Sequence, residues 1–275
     1  MIKDILVQLT GSDEDRARLS LAQALALQFD AHLVGAHLHT LPEILDIAEP
    51  SRSAYVQTLL EDSNAAANRS YENLKETMSK ESRPVEIRRL HGLSASIGLD
   101  LARLAREVDL FIGTRPYGDP AAQYRIEEAV LFGSGRGCLF LPPGGTPQKS
   151  FKTILIAWDG SREAARAVAE AMPFLMSAAK VFVGRIQDAN RIGAEIDQPD
   201  AGIMLHLERH GAHAEFSDAV YRSNTGEQLH EMAHQQGADL IVTGAYGHSR
   251  FVEWAFGGVT NYLLRHSTLP VLMAH

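Results

Sequence analysis

Residues 5–12 read ILVQLTGS and residues 154–161 read ILIAWDGS, so one pattern of an apolar run, a turn and a serine occurs twice, 149 residues apart. Further along, DLFI at 109–112 matches DLIV at 239–242, and the offset there has shrunk to 130 residues. A repeat of this length is typical of a duplicated domain, because the units of solenoid proteins are far shorter. The 19-residue difference falls between the second and third predicted strands, so the first copy has the longer connection there.

Five apolar runs in each copy predict β-strands, and stretches with apolar residues three and four positions apart predict the helices between them. The predicted strands are 5–9, 32–38, 85–90, 109–113 and 138–141 in the first copy, and 154–158, 181–186, 214–220, 239–244 and 271–274 in the second. Continuous apolar strands that alternate with helices indicate a parallel sheet covered on both faces. We therefore expect an α/β, Rossmann-like fold with two tandem doubly wound, mostly parallel five-stranded sheets flanked by helices.

Proline and glycine punctuate residues 142–150, which have no apolar period, and this stretch is the expected linker. It separates a first half, residues 1–145, from a second half, residues 150–275. An isolated half would leave an apolar last strand at a sheet edge. We therefore expect an intramolecular pseudo-dimer that pairs residues 138–141 with residues 271–274, while association of two chains into a homodimer stays open.

Composition and charge limit the class of protein. The formal net charge of −8 makes a nucleic-acid backbone an improbable partner. No apolar run approaches the 18 residues or so of a membrane span, and the start of the chain is too short in apolar residues for a signal peptide. The single cysteine, Cys138, cannot form an internal disulfide and is predicted to be a buried small hydrophobe. These features favour a cytoplasmic protein.

A glycine-rich stretch follows the fourth predicted strand of the second half. Gly244 and Gly247 are followed, after nine residues, by Gly257, Gly258, Val259 and Thr260, where a helix begins. Glycines let a backbone approach a ligand closely, and free amides at a helix start favour an anion such as phosphate. The alternative is that these glycines only shape a tight connection between strand and helix.

The repeated strand–turn–helix pattern, with Asp-Gly-Ser at 159–161 and a G-x-x-G-x(9)-G stretch in the second half, resembles the universal stress protein family, over nearly the whole chain and twice. The nucleotide-binding members carry Ser or Thr where this chain has Gly258, followed by Val-Thr, which Val259 and Thr260 match. The resemblance implies an adenine nucleotide, ATP, with or without Mg²⁺. Its implied contacts are Ala157, Trp158, Asp159, Ile186, Gly244, Gly247, Gly257, Gly258, Val259 and Thr260.

The first half departs from this pattern. Thr10 stands where the second half has Asp159, and no glycine pair follows the fourth strand at the required distance. Glu127 and Glu128 lie opposite Thr260 and its neighbour, and carboxylates at a helix start repel a phosphate. The first half is therefore predicted to be a degenerate domain that binds no nucleotide.

Residues 230–234 read HEMAH and match the H-E-x-x-H helix of zinc proteases, with Glu253 as a conceivable third ligand. The predicted helix is short, its apolar face lies elsewhere, and the two histidines are on its flank. We interpret them as a solvated pair and predict no metal site and no catalytic residue.

Three functions remain open at this point. The chain is a nucleotide-binding stress-response regulatory protein, an interaction protein that binds no nucleotide and has an unknown protein partner, or an enzyme. The enzyme would be a metallohydrolase at His230 and His234 or a slow ATP hydrolase. Asp159 favours the first function, since an acid that points into the crevice has no evident use in a purely structural loop.

Overall fold

The computed structural model describes residues 1–42, 50–79, 85–115, 125–146, 148–187, 198–245 and 258–275. The elements of the first half are β1 (Asp4–Leu9), α1 (Glu14–Phe29), β2 (His32–Thr40), α2 (Pro50–Ser79), β3 (Val85–Gly92), α3 (Ser94–Ala105), β4 (Leu110–Thr114), α4 (Arg125–Gly133) and β5 (Gly137–Leu141). Those of the second half are β6 (Thr153–Ala157), α5 (Arg162–Leu175), β7 (Lys180–Gln187), α6 (Gln198–Arg209), β8 (Ala214–Val220), α7 (Thr225–Gln235), β9 (Leu240–Gly244), α8 (Gly258–His266) and β10 (Val271–Ala274).

The ten strands form one sheet in the order β3-β2-β1-β4-β5-β10-β9-β6-β7-β8. Each half contributes five parallel strands in the same internal order, which confirms the predicted fold class. The two predicted five-stranded sheets are nevertheless continuous, because β5 and β10 pair antiparallel. Leu139 lies opposite Leu272, and both side chains are fully buried.

Both faces of the sheet carry an apolar core. Residues of α1, α2, α5 and α6 build the core on one face, and residues of α3, α4, α7 and α8 build the core on the other. Each core includes residues from both halves. On the α1 face, the Phe29 ring packs edge-to-face on Phe174 with 5.4 Å between centroids, and Phe151 packs on the same ring at 5.8 Å. Within the described ranges, no helix has the length and apolarity needed to cross a membrane.

Cys138 lies in β5, beside the junction between the halves. Its side chain is fully buried, and burial raises the pKa of the thiol to about 12. A thiol with such a pKa is not a nucleophile at neutral pH. The prediction of a buried small hydrophobe is confirmed.

The longer connection of the first half is accounted for by α2, which has 30 residues where α6 has 12. Histidines of the sheet hold α2 in place. His39 Nε2 lies 2.9 Å from Ser63 Oγ of α2, and His37 Nε2 lies 3.2 Å from Ser70 Oγ. The second ring nitrogen of His39, Nδ1, lies 2.7 Å from Nδ1 of His91 on β3, so one ring donates and the other accepts.

This histidine cluster is expected to make the protein less stable in acid. Burial is the main cause that lowers the pKa values of His37 and His39, and Arg89 lowers both further. The unfolded chain therefore binds protons first as the pH falls below the ordinary value of 6.5. The free energy of unfolding should be constant above that pH and decrease below it. Urea denaturation between pH 7.5 and 5 measures this, and the double variant His37→Gln, His39→Gln should have a flatter profile. Parallel profiles of the two proteins would contradict the assignment.

The shared sheet and cores predict that neither half is stable alone. Residues 1–145 and 150–275, expressed separately, should aggregate, because each exposes an apolar edge strand and part of both cores. Co-expression should restore a soluble one-to-one complex, measured by light scattering after size-exclusion chromatography. Two stable, soluble monomers with no affinity for each other would contradict this prediction.

Candidate functional site

Several predicted site residues of the second half that the structure describes lie at the carboxyl edge of its strands, which we call the second crevice. Ala157 and Gly244 are the last residues of β6 and β9, and Ala157 pairs with Thr243 across the two strands. Ile186 lies near the end of the neighbouring strand β7. Ligands of open α/β sheets bind at this edge. Gly247 and Gly257 lie outside the described residues.

Residues Gly258–Thr260 form the first turn of α8, called here the α8 turn. Backbone amides at the start of a helix carry the positive end of the helix dipole. A Cβ at Gly258 would meet no described heavy atom within 4 Å, so no described residue blocks a side chain there. Thr260 is only 3% exposed, and its hydroxyl lies 3.5 Å from the Gly244 carbonyl oxygen. In this structure that hydroxyl faces the protein interior.

Gly244 has a clear packing role. A Cβ at this position would lie 2.6 Å from the amide nitrogen of Ala164 and 2.8 Å from the Glu163 Cβ. The missing side chain therefore lets the end of β9 touch the first turn of α5. Gly244 therefore has the packing role that was the alternative to ligand binding, and this role does not depend on a ligand.

Gly226, in the first turn of α7, was not predicted and positions the α8 turn. A Cβ there would lie 2.6 Å from Tyr262 Cβ and 3.1 Å from Val259 Cα. The start of α7 is itself fixed by Asn224, whose side-chain oxygen accepts hydrogen bonds from the amides of Gly226 and Glu227. A glycine next to an N-cap asparagine was the signal available in the sequence, but its partner on α8 is 36 residues away.

Asp159 lies on the surface at the mouth of the second crevice. Its Oδ1 accepts a hydrogen bond of 2.9 Å from the Ser161 amide, while the Ser161 hydroxyl accepts one from Ala164 and caps α5. The carboxylate thus stabilises the turn before α5. The expectation that a structural loop has no use for this acid is wrong, because the turn itself uses it.

Trp158 and Ile186 lie on opposite faces of the sheet. The Trp158 ring packs against the core on the α5 face, whereas Ile186 packs against the core on the α8 face. The Trp158 amide donates to the Gly184 carbonyl oxygen at 3.0 Å, so its backbone remains at the strand edge. Of the predicted set, Ala157, Ile186 and the α8 turn therefore share one face, and the Trp158 side chain does not join them.

The equivalent edge of the first half, the first crevice, is occupied by an internal ion pair. The Asp15 carboxylate accepts hydrogen bonds from the amides of Thr10 (2.9 Å) and Gly11 (2.7 Å) and from Arg18 (2.5 Å). Arg18 also donates to the hydroxyls of Thr10 and Thr114, and both members of the ion pair are over nine-tenths buried. The positions 149 residues later are alanines, so the second crevice lacks this pair.

Glu127 is a further difference between the first crevice and the second. Its carboxylate accepts a hydrogen bond of 2.7 Å from Gln8, whose counterpart in the second half is Ala157. Burial raises the pKa values of both Glu127 and Glu128. Glu127 therefore turns toward the sheet rather than toward solvent at the start of α4. The second half has the smaller residues Ala157 and Thr260 at the positions of Gln8 and Glu127.

The His230–His234 pair is tied to the turn after α8. The two Nε2 atoms lie 3.2 Å apart, and each lies within 3.2 Å of the Thr268 hydroxyl. Glu231 forms an ion pair with Arg222 at 2.7 Å. Across the described parts of the chain, no three His, Cys, Asp or Glu side chains are grouped closely enough to hold a metal ion. Glu253 is outside those parts.

Gly226→Ala should destabilise the protein by about 1–3 kcal/mol, since a Cβ at 2.6 Å from Tyr262 forces α7 and α8 apart. The matched control is Gly202→Ala in α6, where a Cβ meets no described atom within 4 Å. That control should stabilise the protein by up to about 1 kcal/mol through helix propensity. Urea denaturation of both variants measures the difference. Equal stability of the two variants would show that α7 and α8 are not tightly packed at this point.

Comparison with known proteins supports the resemblance found in the sequence. The family model for the universal stress protein family matches residues 150–275. No curated protein matches the chain in sequence. A solved universal stress protein from Archaeoglobus fulgidus DSM 4304 superposes with a TM-score of 0.72 at 14% identity, covering 98% of this chain and 95% of its own. A functionally unknown protein from Pseudomonas aeruginosa PAO1 superposes with a TM-score of 0.64 at 14% identity, covering 99% and 92%.

At 14% identity these structures establish the fold alone, and both cover the two halves together. Residues 150–275 match the model of the universal stress protein family, and the whole chain has the fold of a solved universal stress protein.

Proposed function

We propose that the chain is a tandem universal stress protein of the cytoplasm, a stress-response regulatory protein whose second half binds one adenine nucleotide. The observation that carries the proposal is the position of the α8 turn. The Thr260 hydroxyl of this turn lies 3.5 Å from the carbonyl oxygen of Gly244, the last residue of β9, in the half that matches the family. A helix start at such an edge is a favourable place for a phosphate.

The proposed ligand is ATP, with Mg²⁺ where its phosphates need charge neutralisation. Adenine is placed near Ala157 and Ile186, on the face of the sheet that also carries α8. Asp159 is suited to the ribose or to Mg²⁺, because a carboxylate in direct contact with phosphate would repel it. The Trp158 contribution is limited to its backbone, and Gly244 serves by letting β9 approach α5. The proposed phosphate contacts are the amides of Gly247, Gly257, Gly258 and Val259 and the hydroxyl of Thr260.

Two features of the site limit its affinity for a nucleotide. Gly258 lacks the hydroxyl that binding members of the family carry, although its amide remains. The Thr260 hydroxyl must turn away from the Gly244 carbonyl oxygen before it can donate to a phosphate. We therefore expect binding that is weaker than a site with both hydroxyls would give.

The first half is proposed to bind no nucleotide and to serve as the fixed partner in an intramolecular pseudo-dimer. The Asp15 carboxylate already holds the amides of Thr10 and Gly11, which follow β1 at the crevice edge. An external phosphate would have to displace this carboxylate and break the buried pair with Arg18. Breaking a buried pair costs about 3–5 kcal/mol.

A second candidate function is an interaction protein that binds no nucleotide. It is favoured by the structural roles of Gly244 and Asp159, which explain both residues without a ligand. Under this function the α8 turn would be a surface feature, and protein partners would recognise the joined halves.

Isothermal calorimetry with ATP and Mg²⁺ on the full chain separates these functions. Wild type should bind one nucleotide per chain. Gly258→Ser should bind more tightly by about 1–3 kcal/mol, since it restores one hydrogen bond to a charged group. Gly257→Val should abolish binding by placing a branched side chain in the phosphate site.

Gly258→Ala is the matched control, because its Cβ enters the same open space without a hydroxyl. It should bind no more tightly than wild type. An absence of heat with both wild type and Gly258→Ser at millimolar nucleotide would exclude the nucleotide proposal and favour the interaction protein.

A further inference from the structure

The carboxyl end of α8 is capped by a residue of the first half. The Ser267 amide donates to the Leu263 carbonyl oxygen at the end of the helix. The next two carbonyls, those of Leu264 and Arg265, lie beyond this helical hydrogen bond. The Arg115 guanidinium donates to both of them, to Leu264 at 3.0 Å and to Arg265 through the same nitrogen. Arg115 follows β4 directly, so this bond crosses from one half to the other.

Arg115 is well placed to act as a cap. Its amide donates to the Leu141 carbonyl oxygen at 2.9 Å, which fixes its backbone beside the end of β5. Burial lowers the pKa of Arg115, but a guanidinium remains charged at neutral pH. A cation at the carboxyl end of a helix interacts favourably with the helix dipole. The cap therefore combines two hydrogen bonds with a favourable charge.

The first half does not depend on the second in the same way. The end of α4 is capped from within its own half, by Arg106 Nε, which donates to the Gly133 carbonyl oxygen at 2.8 Å. The residue 130 positions after Arg106 is Gln236, and its side chain donates to Ser217 instead. The residue 130 positions after Arg115 is Ala245, which is too short to cap α4. Among the described residues, the counterpart of Arg106 therefore does not cap α8, and α8 receives its cap from the first half.

We propose that Arg115 is a positioning residue through which the first half controls nucleotide affinity in the second half; this rests on the function proposed above. The α8 helix has nine residues, about two and a half turns, and helices this short are marginal without tertiary support. Loss of the cap frays the last turn, and the remaining residues hold the α8 turn less firmly. Phosphate binding needs that turn to be formed, so its affinity falls.

Amide hydrogen exchange of the full, unliganded chain tests the first step. The amides of Tyr262, Leu263 and Leu264 close helical bonds onto the carbonyls of the α8 turn. In Arg115→Ala they should exchange about three to ten times faster, while amides of β10 keep their rates. Arg115→Lys should restore most of the protection, because an ammonium group still donates to a carbonyl. If the alanine variant does not fold, Arg115→Gln, which keeps a neutral donor, gives the same comparison.

Arg166→Ala is the matched control. Arg166 also crosses between the halves, since its Nη2 donates to the Gly135 carbonyl oxygen at 2.8 Å, but it reaches the turn after α4. This variant should leave exchange in α8 unchanged. Calorimetry with ATP and Mg²⁺ should then give an affinity about three- to tenfold weaker in Arg115→Ala and unchanged in Arg166→Ala.

The outcomes distinguish this inference from the proposed function. Unchanged exchange in α8, or equal nucleotide affinity in wild type and Arg115→Ala, would overturn the inference and leave the proposed function standing. An absence of nucleotide binding to wild type and Gly258→Ser would overturn the proposed function and the control of affinity with it. The exchange rates would then decide whether Arg115 orders α8.

Discussion

Three residue pairs between β5 and β10 join the two halves, and the position of one half against the other follows from them. Without this antiparallel pairing, each sheet would end in an apolar strand with unpaired backbone groups. With it, the two cores run across the junction, and helices of one half contact helices of the other. The Phe29–Phe174 contact and the Arg115 cap both exist only because the sheets are continuous.

The pairing also determines which strands remain at the edges. Nearly all residues of the edge strands β3 and β8 are exposed or half-buried, unlike those of the fully buried β5 and β10. On β3, Glu86 and Arg88 form an ion pair on the exposed edge. Charged edge strands resist pairing with another chain. The apolar strands β5 and β10 therefore pair with each other, and the charged strands β3 and β8 form the edges of the sheet.

The strands could be predicted from the sequence because each apolar run is a local property of a few residues. Comparing the runs of the two halves then showed the duplication. All ten strands lie where the runs indicated, and α2 accounts for the change in offset. The site was predicted less completely. Gly226 and Arg115 act on α8 from distant parts of the chain, and only the folded structure brings them to it. The sheet faces on which the Trp158 and Ile186 side chains pack are set by the folded sheet. The Asp159 carboxylate accepts a hydrogen bond from the Ser161 amide, which competes with the contact to a ligand expected from the sequence.

Fusion of the two halves in one chain removes the symmetry that a homodimer imposes. In a symmetric dimer each substitution appears at both ends of the interface, so a cap gained on one side is gained on the other. Here position 115 is arginine while its counterpart in the second half is alanine. The counterparts of Asp15 and Arg18 are likewise alanines. The pairing of β5 with β10 is also unimolecular, so it does not weaken on dilution as a dimer interface does. The two halves can therefore carry different residues at equivalent positions, such as the buried Asp15–Arg18 pair in the first half and the alanines at positions 164 and 167 in the second.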